Sequence, residues 1–294
     1  PILSLGNAYG VDEAQAWFER MTRLDDRVEK TGWVVEPKID GLTVVLHYED
    51  GMFVQGATRG DGEIGEDITS NLRTIRSLPL RIPAAATNIS HPRHIVVRGE
   101  AYIPKQEFVT WNQRLATSGE RTYVNPRNAA SGALRQLDPN MTAGCPLALL
   151  CYHVVETDGK ILATQWGVLE YLRSMGFGVA DISQRFNNLG DALAYCQSWA
   201  DERFTLNYEV DGMVIKIDDL LIQTGLGVVG KDPRGALAFK FPSIEVTTNL
   251  IQIGVNVGRT GVLTPYAVLE PVKVGGVTVR QATLHNFGYI FDKD

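Results

Sequence analysis

The sequence predicts an α+β fold, built on antiparallel sheets with inserted helices and followed by a short β-barrel that is cut short. Three observations predict it. Runs rich in β-branched residues open after Gly32 and recur along the chain, helical periodicities lie between them, and the last fifty residues turn into short strands punctuated by glycine. The 294 residues suffice for one large domain or two smaller ones with a substantial core. Hydrophobic residues make up 44% and charged residues 21%, a balance that excludes a disordered, collagen-like or coiled-coil chain. Mean hydropathy is −0.07 and no apolar run is long, which excludes a transmembrane helix and a membrane partner.

The elements follow in order. Residues 12–28 carry Trp17, Phe18, Met21, Leu24 and Val28 at helical spacing, with Asp12 as the expected N-cap. Residues 33–35 and 42–46 read as strands, and Glu49-Asp50-Gly51 turns the chain into the next strand at Phe53. Further strands are expected at 95–97, 147–150, 210–217 and 236–239, and helices near 64–76, 104–118, 126–137, 164–175 and 190–200. Beyond Pro242 the runs 250–257, 262–269, 272–274 and 277–279 suggest a small barrel, too short to be complete. The expected division is therefore 1–243 and 244–294.

Formal charge is −6, so the chain as a whole does not attract nucleic acid and any such contact needs a local patch. The last 54 residues carry four acids and four bases, which leaves the excess in the first domain. Cys145, Cys151 and Cys196 form no CxxC pair; neither a zinc site nor a disulfide framework is expected, and a reducing cytoplasm is the default. The chain opens at Pro1 without a recognisable leader and reads as a fragment or processed product.

Chemistry concentrates in a few places. In Glu36-Pro37-Lys38-Ile39-Asp40-Gly41 a lysine stands between a strand and a glycine turn, with an acid two residues away on either side. Spacing alone allows a surface lysine with two ion-pair partners. It also allows a nucleophilic amine, which attacks only when deprotonated and so needs burial or cationic neighbours. Lys216 and Lys240 end apolar strands, where a lone ammonium is costly; each either snorkels to solvent or waits for an anion such as phosphate. Arg59 sits in a loop rich in glycine and acid, where backbone and ligand can approach closely. Glu100 follows a strand, as a ribose or metal ligand does, although a solvated strand end is commoner. Residues 68–99 hold five arginines and 121–137 hold three, neither tract with an acid. Arg127 and Arg135 share a helix face, and Asn125-Pro126 reads as the helix start, so these tracts are either a solvated basic face or a seat for backbone phosphates.

Taken together, nine segments in order resemble the bacterial-type NAD-dependent DNA ligases. They are Leu3-Ser4-Leu5-Gly6-Asn7-Ala8, Lys38-Ile39-Asp40-Gly41, Thr58-Arg59-Gly60-Asp61-Gly62, Val97-Arg98-Gly99-Glu100 and Asn125-Pro126-Arg127-Asn128-Ala129-Ala130-Ser131-Gly132, then Asp211-Gly212-Met213-Val214-Ile215-Lys216, Phe239-Lys240-Phe241-Pro242, Val257-Gly258-Arg259-Thr260-Gly261 and Ala282-Thr283-Leu284-His285-Asn286. The lysine motif alone is shared with ATP-dependent ligases and capping enzymes; the ordered set is far more specific. The resemblance implies a nucleotidyltransferase (ATP-grasp-like ligase) adenylation fold over 1–243 and the start of an OB-fold after it. It implies that Lys38 takes AMP from NAD+, that AMP passes to the 5′-phosphate of a nick in double-stranded DNA, and that the 3′-OH displaces it, in replication and repair.

The implied roles are assigned residue by residue. Glu36 accepts from the adenine amino group, Ser4 and Leu5 line the pocket, and Tyr152 packs on the base. Arg59 and Glu100 hold ribose, Lys216 and Lys240 neutralise phosphate and favour the free amine of Lys38, and Asp40 belongs to the catalytic motif. Asp211 places Lys38 or a divalent metal, Mg2+ or Mn2+, with Glu100 nearby. Arg127, Arg135 and Arg259 meet DNA. The resemblance further implies a cytoplasmic, nucleoid-associated monomer whose nicotinamide-binding helical domain precedes Pro1, so the chain on its own is expected to be impaired in the NAD step. Its zinc module, helix-hairpin-helix region and BRCT domain would follow the present chain. One departure is Gly235, where the family pattern leads one to expect tryptophan. Rival readings are an ATP-dependent ligase or capping nucleotidyltransferase, and a silent module that binds nucleotide or nicked duplex.

Overall fold

The computed structural model describes residues 5–83, 91–230, 232–242, 245–274 and 277–291; Ser4 lies outside them. The chain forms two compact units, Pro1–Phe241 and Pro242–Asp294. The expected mixture of helices and antiparallel sheet is what it adopts.

In the first unit the strands are β1 (Gly6–Ala8), β2 (Trp33–Ile39), β3 (Leu42–Glu49), β4 (Met52–Thr58), β5 (His94–Tyr102), β6 (Ala148–Thr157), β7 (Gln184–Phe186), β8 (Val210–Ile217), β9 (Val228–Val229), β10 (Asp232–Pro233) and β11 (Ala236–Lys240). One sheet has the order β1-β11-β8-β2-β7, antiparallel except for the β1–β11 pair. The other has the order β4-β3-β5-β6 and is antiparallel throughout. Helices α1 (Val11–Leu24), α2 (Thr69–Leu72), α3 (Lys105–Thr117), α4 (Pro126–Leu134), α5 (Pro139–Ala143), α6 (Gln165–Met175), α7 (Leu189–Glu202) and α8 (Leu220–Gly225) cover them.

Each sheet has its own apolar core, because each buries one face under helices and leaves the other for the cleft. Trp17, Met21, Trp33, Leu193, Cys196, Ile215 and Phe239 are among the residues that close the five-stranded sheet against α1 and α7. Leu46, Tyr48, Leu72, Val97, Leu134, Leu169 and Leu172 are among those that close the four-stranded sheet against α2, α4 and α6. The three cysteines are free and buried in these cores.

Three expectations need correction. The first helix is capped by Gly10 rather than Asp12 and stops at Leu24, where the Asp25 carboxylate accepts from Arg27 N and starts a separate 3-10 turn. The helix expected over 64–76 shrinks to four residues. Asp61 accepts from the backbone N–H of Glu63 and Ile64, and Thr58 Oγ1 accepts from Glu66 N, so side chains satisfy the donors a helix would use. The strands expected at 262–269 and 272–274 are one.

The second unit holds β12 (Leu250–Val257), β13 (Leu263–Val274) and β14 (Val277–Thr283) in an antiparallel sheet, then the short α9 (Phe287–Phe291).

Candidate active site

The cleft lies between the two sheets of the first unit and encloses about 590 Å³, a size suited to a nucleotide. Its lining gathers Leu5, Glu36, Lys38, Asp40, Arg59, Glu100, Arg127, Tyr152, Lys216 and Lys240.

Register explains how the lysines meet. Gly212 on β8 pairs with Lys38 on one side and Lys240 on the other, so one row crosses three strands. A Cβ on Gly212 would run into the carbonyl oxygen of Phe239, so only glycine lets β11 come this close. The next β8 residue is out of step. Lys38 pairs with Gly212 but Ile39 pairs with Val210, which leaves Asp211 as the extra residue of a bulge. A bulge re-aims its side chain, and the Asp211 carboxylate receives both lysines. Lys38 Nζ lies 3.2 Å from Oδ1 and 3.3 Å from Oδ2, and Lys240 Nζ lies 2.5 Å from Oδ2. Oδ1 itself is buried and accepts no well-aligned hydrogen bond.

A second charge cluster sits further along the same face. Glu36 is buried, and its Oε1 receives Lys216 Nζ at 2.8 Å and Gln165 Nε2 at 2.8 Å. The Lys216 ammonium also lies 5.4 Å from the centre of the Tyr152 ring. Tyr152 owes its direction to another bulge. Arg98 pairs with His153 and Gly99 with Cys151, so Tyr152 is the extra residue and both it and His153 line the cleft.

Neither acid of the lysine motif pairs with Lys38. Glu36 holds Lys216, and Asp40 Oδ1 holds Arg127 Nη1 at 2.6 Å. Arg135 likewise meets an acid, with Nε 2.6 Å from Glu66 Oε2. Two arginines of the 121–137 tract are thus paired with acids from distant sequence. Arg127 stands near the start of α4, where the Asn125 side chain accepts from Asn128 N as the helix-start reading requires. Arg259 is exposed on the β12–β13 hairpin of the second unit.

Electrostatics set the cleft apart from the surface. Burial raises the Glu100 carboxyl to about 7, against the lowering effects of a Thr43 hydrogen bond (Oγ1 to Oε2, 3.0 Å), Lys38 and Arg127. Burial pushes His153 down to about 3, helped by the charges of Lys216 and Arg98, so the ring is neutral at pH 7. Burial also lowers Arg98, whose Nε has no hydrogen-bond partner. Burial raises the Tyr152 phenol.

Among the described residues no group of three or more His, Cys, Asp or Glu side chains could hold a metal ion. Asp211 is engaged by two ammonium groups and half-buried Glu100 accepts from Thr43, so both carboxylates are already partnered by protein groups. Sequence reasoning passed over Gln165, Arg98 and His153 as pocket residues. Gln165 carries no motif and follows the Thr164 cap of α6, while Arg98 and His153 owe their place to the sheet register.

Residues 1–244 match the family model for the NAD-dependent DNA ligase adenylation domain, and residues 247–294 match the one for the NAD-dependent DNA ligase OB-fold domain. The chain is 53% identical over 300 residues to the DNA ligase of Chloroflexus aurantiacus, covering all of this chain and 42% of that protein. It is 52% identical over 305 residues to the DNA ligase of Roseiflexus sp. (strain RS-1), again covering all of this chain and 42% of the relative. It is 47% identical over 294 residues to the DNA ligase of Anoxybacillus flavithermus, with the same coverage. The chain therefore spans about two fifths of the length of the curated relatives it matches. The adenylation model is that of the NAD-dependent enzymes, which sets aside the ATP-dependent and capping alternatives. With motifs, cleft and matches agreeing over its whole length, the chain belongs to the NAD-dependent DNA ligase family.

Proposed function

We propose that this chain is the catalytic core that takes AMP from NAD+ onto Lys38, passes it to the 5′-phosphate of a DNA nick, and lets the 3′-OH seal the strand. The observation that carries this reading is Lys38 held against Asp211 beside Lys240, on the floor of a nucleotide-sized cleft.

The free amine of Lys38 attacks the adenylyl phosphorus. An N–P bond forms as the P–O bond to the bridging pyrophosphate oxygen breaks, and nicotinamide mononucleotide leaves with that oxygen. Asp211 Oδ1, buried and without a hydrogen bond, stands where it can take the ammonium proton. Lys240 offsets the charge that builds on the phosphoryl oxygens, while Lys216 stays on Glu36 at the base end. Glu36 accepts from the adenine amino group, and Tyr152 is the platform for the base. Glu100 and Arg59 hold the ribose, and Leu5 forms part of the wall. Asp40 aligns Arg127.

Arg127, Arg135 and Arg259 meet DNA phosphates, the first two after leaving Asp40 and Glu66; exposed pairs of this kind cost little to open. No step is assigned to a protein-held metal; Mg2+ or Mn2+ would arrive on the substrate phosphates. The protein would act as a monomer in the cytoplasm, at the nucleoid. No helix among the described residues is long and apolar enough to cross a membrane.

The test is to supply NAD+ labelled in its AMP half to the chain extended to the full length of its relatives. Label should become covalent as nicotinamide mononucleotide is released in equal amount, and labelled ATP should leave the protein bare. Covalent label from ATP but not from NAD+ would refute the proposal.

A further inference from the structure

We infer that Gln165 is a specificity-determining positioning residue, whose side-chain amide holds the Glu36 carboxylate and the Tyr152 bulge in one fixed arrangement for reading a 6-aminopurine. The inference rests on the adenylate reading of the cleft.

Gln165 is fully buried. Its Nε2 donates to Glu36 Oε1 at 2.8 Å and to the Tyr152 carbonyl oxygen at 3.1 Å. One amide thus links a carboxylate on β2 to the bulged residue of β6, across the cleft between the two sheets. Both donors to Glu36, Lys216 Nζ and Gln165 Nε2, fall on Oε1. Oε2 therefore keeps its acceptor capacity for a ligand N–H, and the carboxylate cannot rotate without breaking two charge-assisted bonds.

The residue is itself firmly held. Its backbone N–H donates to the Asp218 carbonyl oxygen at 2.7 Å. The Asp218 carboxylate accepts from Trp166 N at 2.9 Å and pairs with Arg185 at 2.7 Å. The first turn of α6 is thus fastened to the end of β8, the support a precise site requires.

The arrangement has a cost. Gln165 Oε1 is buried and has no hydrogen-bond partner. An orphaned buried acceptor destabilises a fold, so a core residue chosen for stability alone would be apolar here. Flipping the amide does not help, because it would set an oxygen against the Glu36 carboxylate. The donor is kept at the expense of the acceptor, which marks the donor as the useful half.

The experiment compares AMP with purine riboside 5′-monophosphate, which carries hydrogen in place of the amino group, by calorimetric titration of the 294-residue chain. The wild type should bind AMP more tightly. Gln165→Met should lose about tenfold in AMP affinity, keep its affinity for purine riboside 5′-monophosphate, and melt no lower than wild type. Gln165→Glu keeps the shape but turns the donor into an acceptor, and it should show the same selective loss. Equal losses for both nucleotides would make Gln165 a merely structural residue and overturn the inference. So would wild-type selectivity in either variant. A wild type that fails to bind AMP, or does not prefer it, would instead refute the adenylate reading, and the inference with it.

Discussion

The two charge clusters on the floor of the cleft are built from the same parts and do different work. At Lys38 two ammonium groups share one carboxylate, and the side chains keep some access, 28% for Lys38 and 36% for Asp211. At Glu36 one ammonium and one amide share one carboxylate, and the side chains are nearly closed, 12% for Lys216 and 5% for Glu36. The first cluster has a surplus of positive charge, which suits a group that must release a proton and meet a phosphate. The second is balanced and desolvated, which suits a group that must present one acceptor in one direction. Reaction wants cations to spare, and recognition wants a rigid, paired carboxylate.

Substitutions can break this contrast. The largest effect is expected for Lys38→Arg, which should abolish covalent AMP while leaving the melting temperature close to wild type. The guanidinium can still meet Asp211 but stays protonated and cannot attack. Next is Asp211→Asn. It removes the carboxylate from two ammonium groups and takes away the proposed proton acceptor, so single-turnover adenylation should slow by about 10²–10⁴-fold. Wild-type rates would show that the surplus of cations suffices alone. Glu36→Gln should act on binding and stability rather than on the reactive end. Breaking a buried pair from one side costs about 3–5 kcal/mol, and Lys216 keeps a little solvent, so the lower end of that range is expected in chemical denaturation. Preference for AMP over GMP should narrow in the same variant. Unchanged preference would remove the assigned reading role.

The smallest effect concerns pH. The Glu100 carboxyl is raised to about 7 because ionisation in the cleft is costly. For an acid shifted upward, the protonated form suits the fold, so its contribution is fully present below about 4.5 and is lost as pH rises through about 7. Nucleotide-free protein should therefore lose on the order of 1–3 kcal/mol over that window, and Glu100→Gln should flatten this part of the stability profile. A Glu100→Gln profile that overlays the wild type would show that Glu100 ionises freely in the fold.

Much of the site could be read along the chain because its parts are local. Lys38 follows a β-branched run and precedes a glycine, and Lys216 and Lys240 lie at the ends of apolar strands. What could not be read depends on register. The bulges that turn Asp211 and Tyr152 into the cleft exist only as offsets between paired strands, and no residue type announces them. The acids that meet Arg127 and Arg135 lie 87 and 69 positions away, so these two arginines, which look unpaired in the sequence, are paired in space. The helix expected over 64–76 failed for a related reason: Asp61 and Thr58 satisfy backbone donors locally, and periodicity does not see that competition.

The most direct test of the central claim is to find where AMP lands. The wild-type chain, extended to the full length of its relatives, is incubated with NAD+, digested and mapped by mass spectrometry under conditions that preserve a phosphoramidate. The account predicts AMP on the peptide that contains Lys38 and on no other. AMP on a different residue, or an equal yield of adduct on the Lys38→Arg variant, would contradict it.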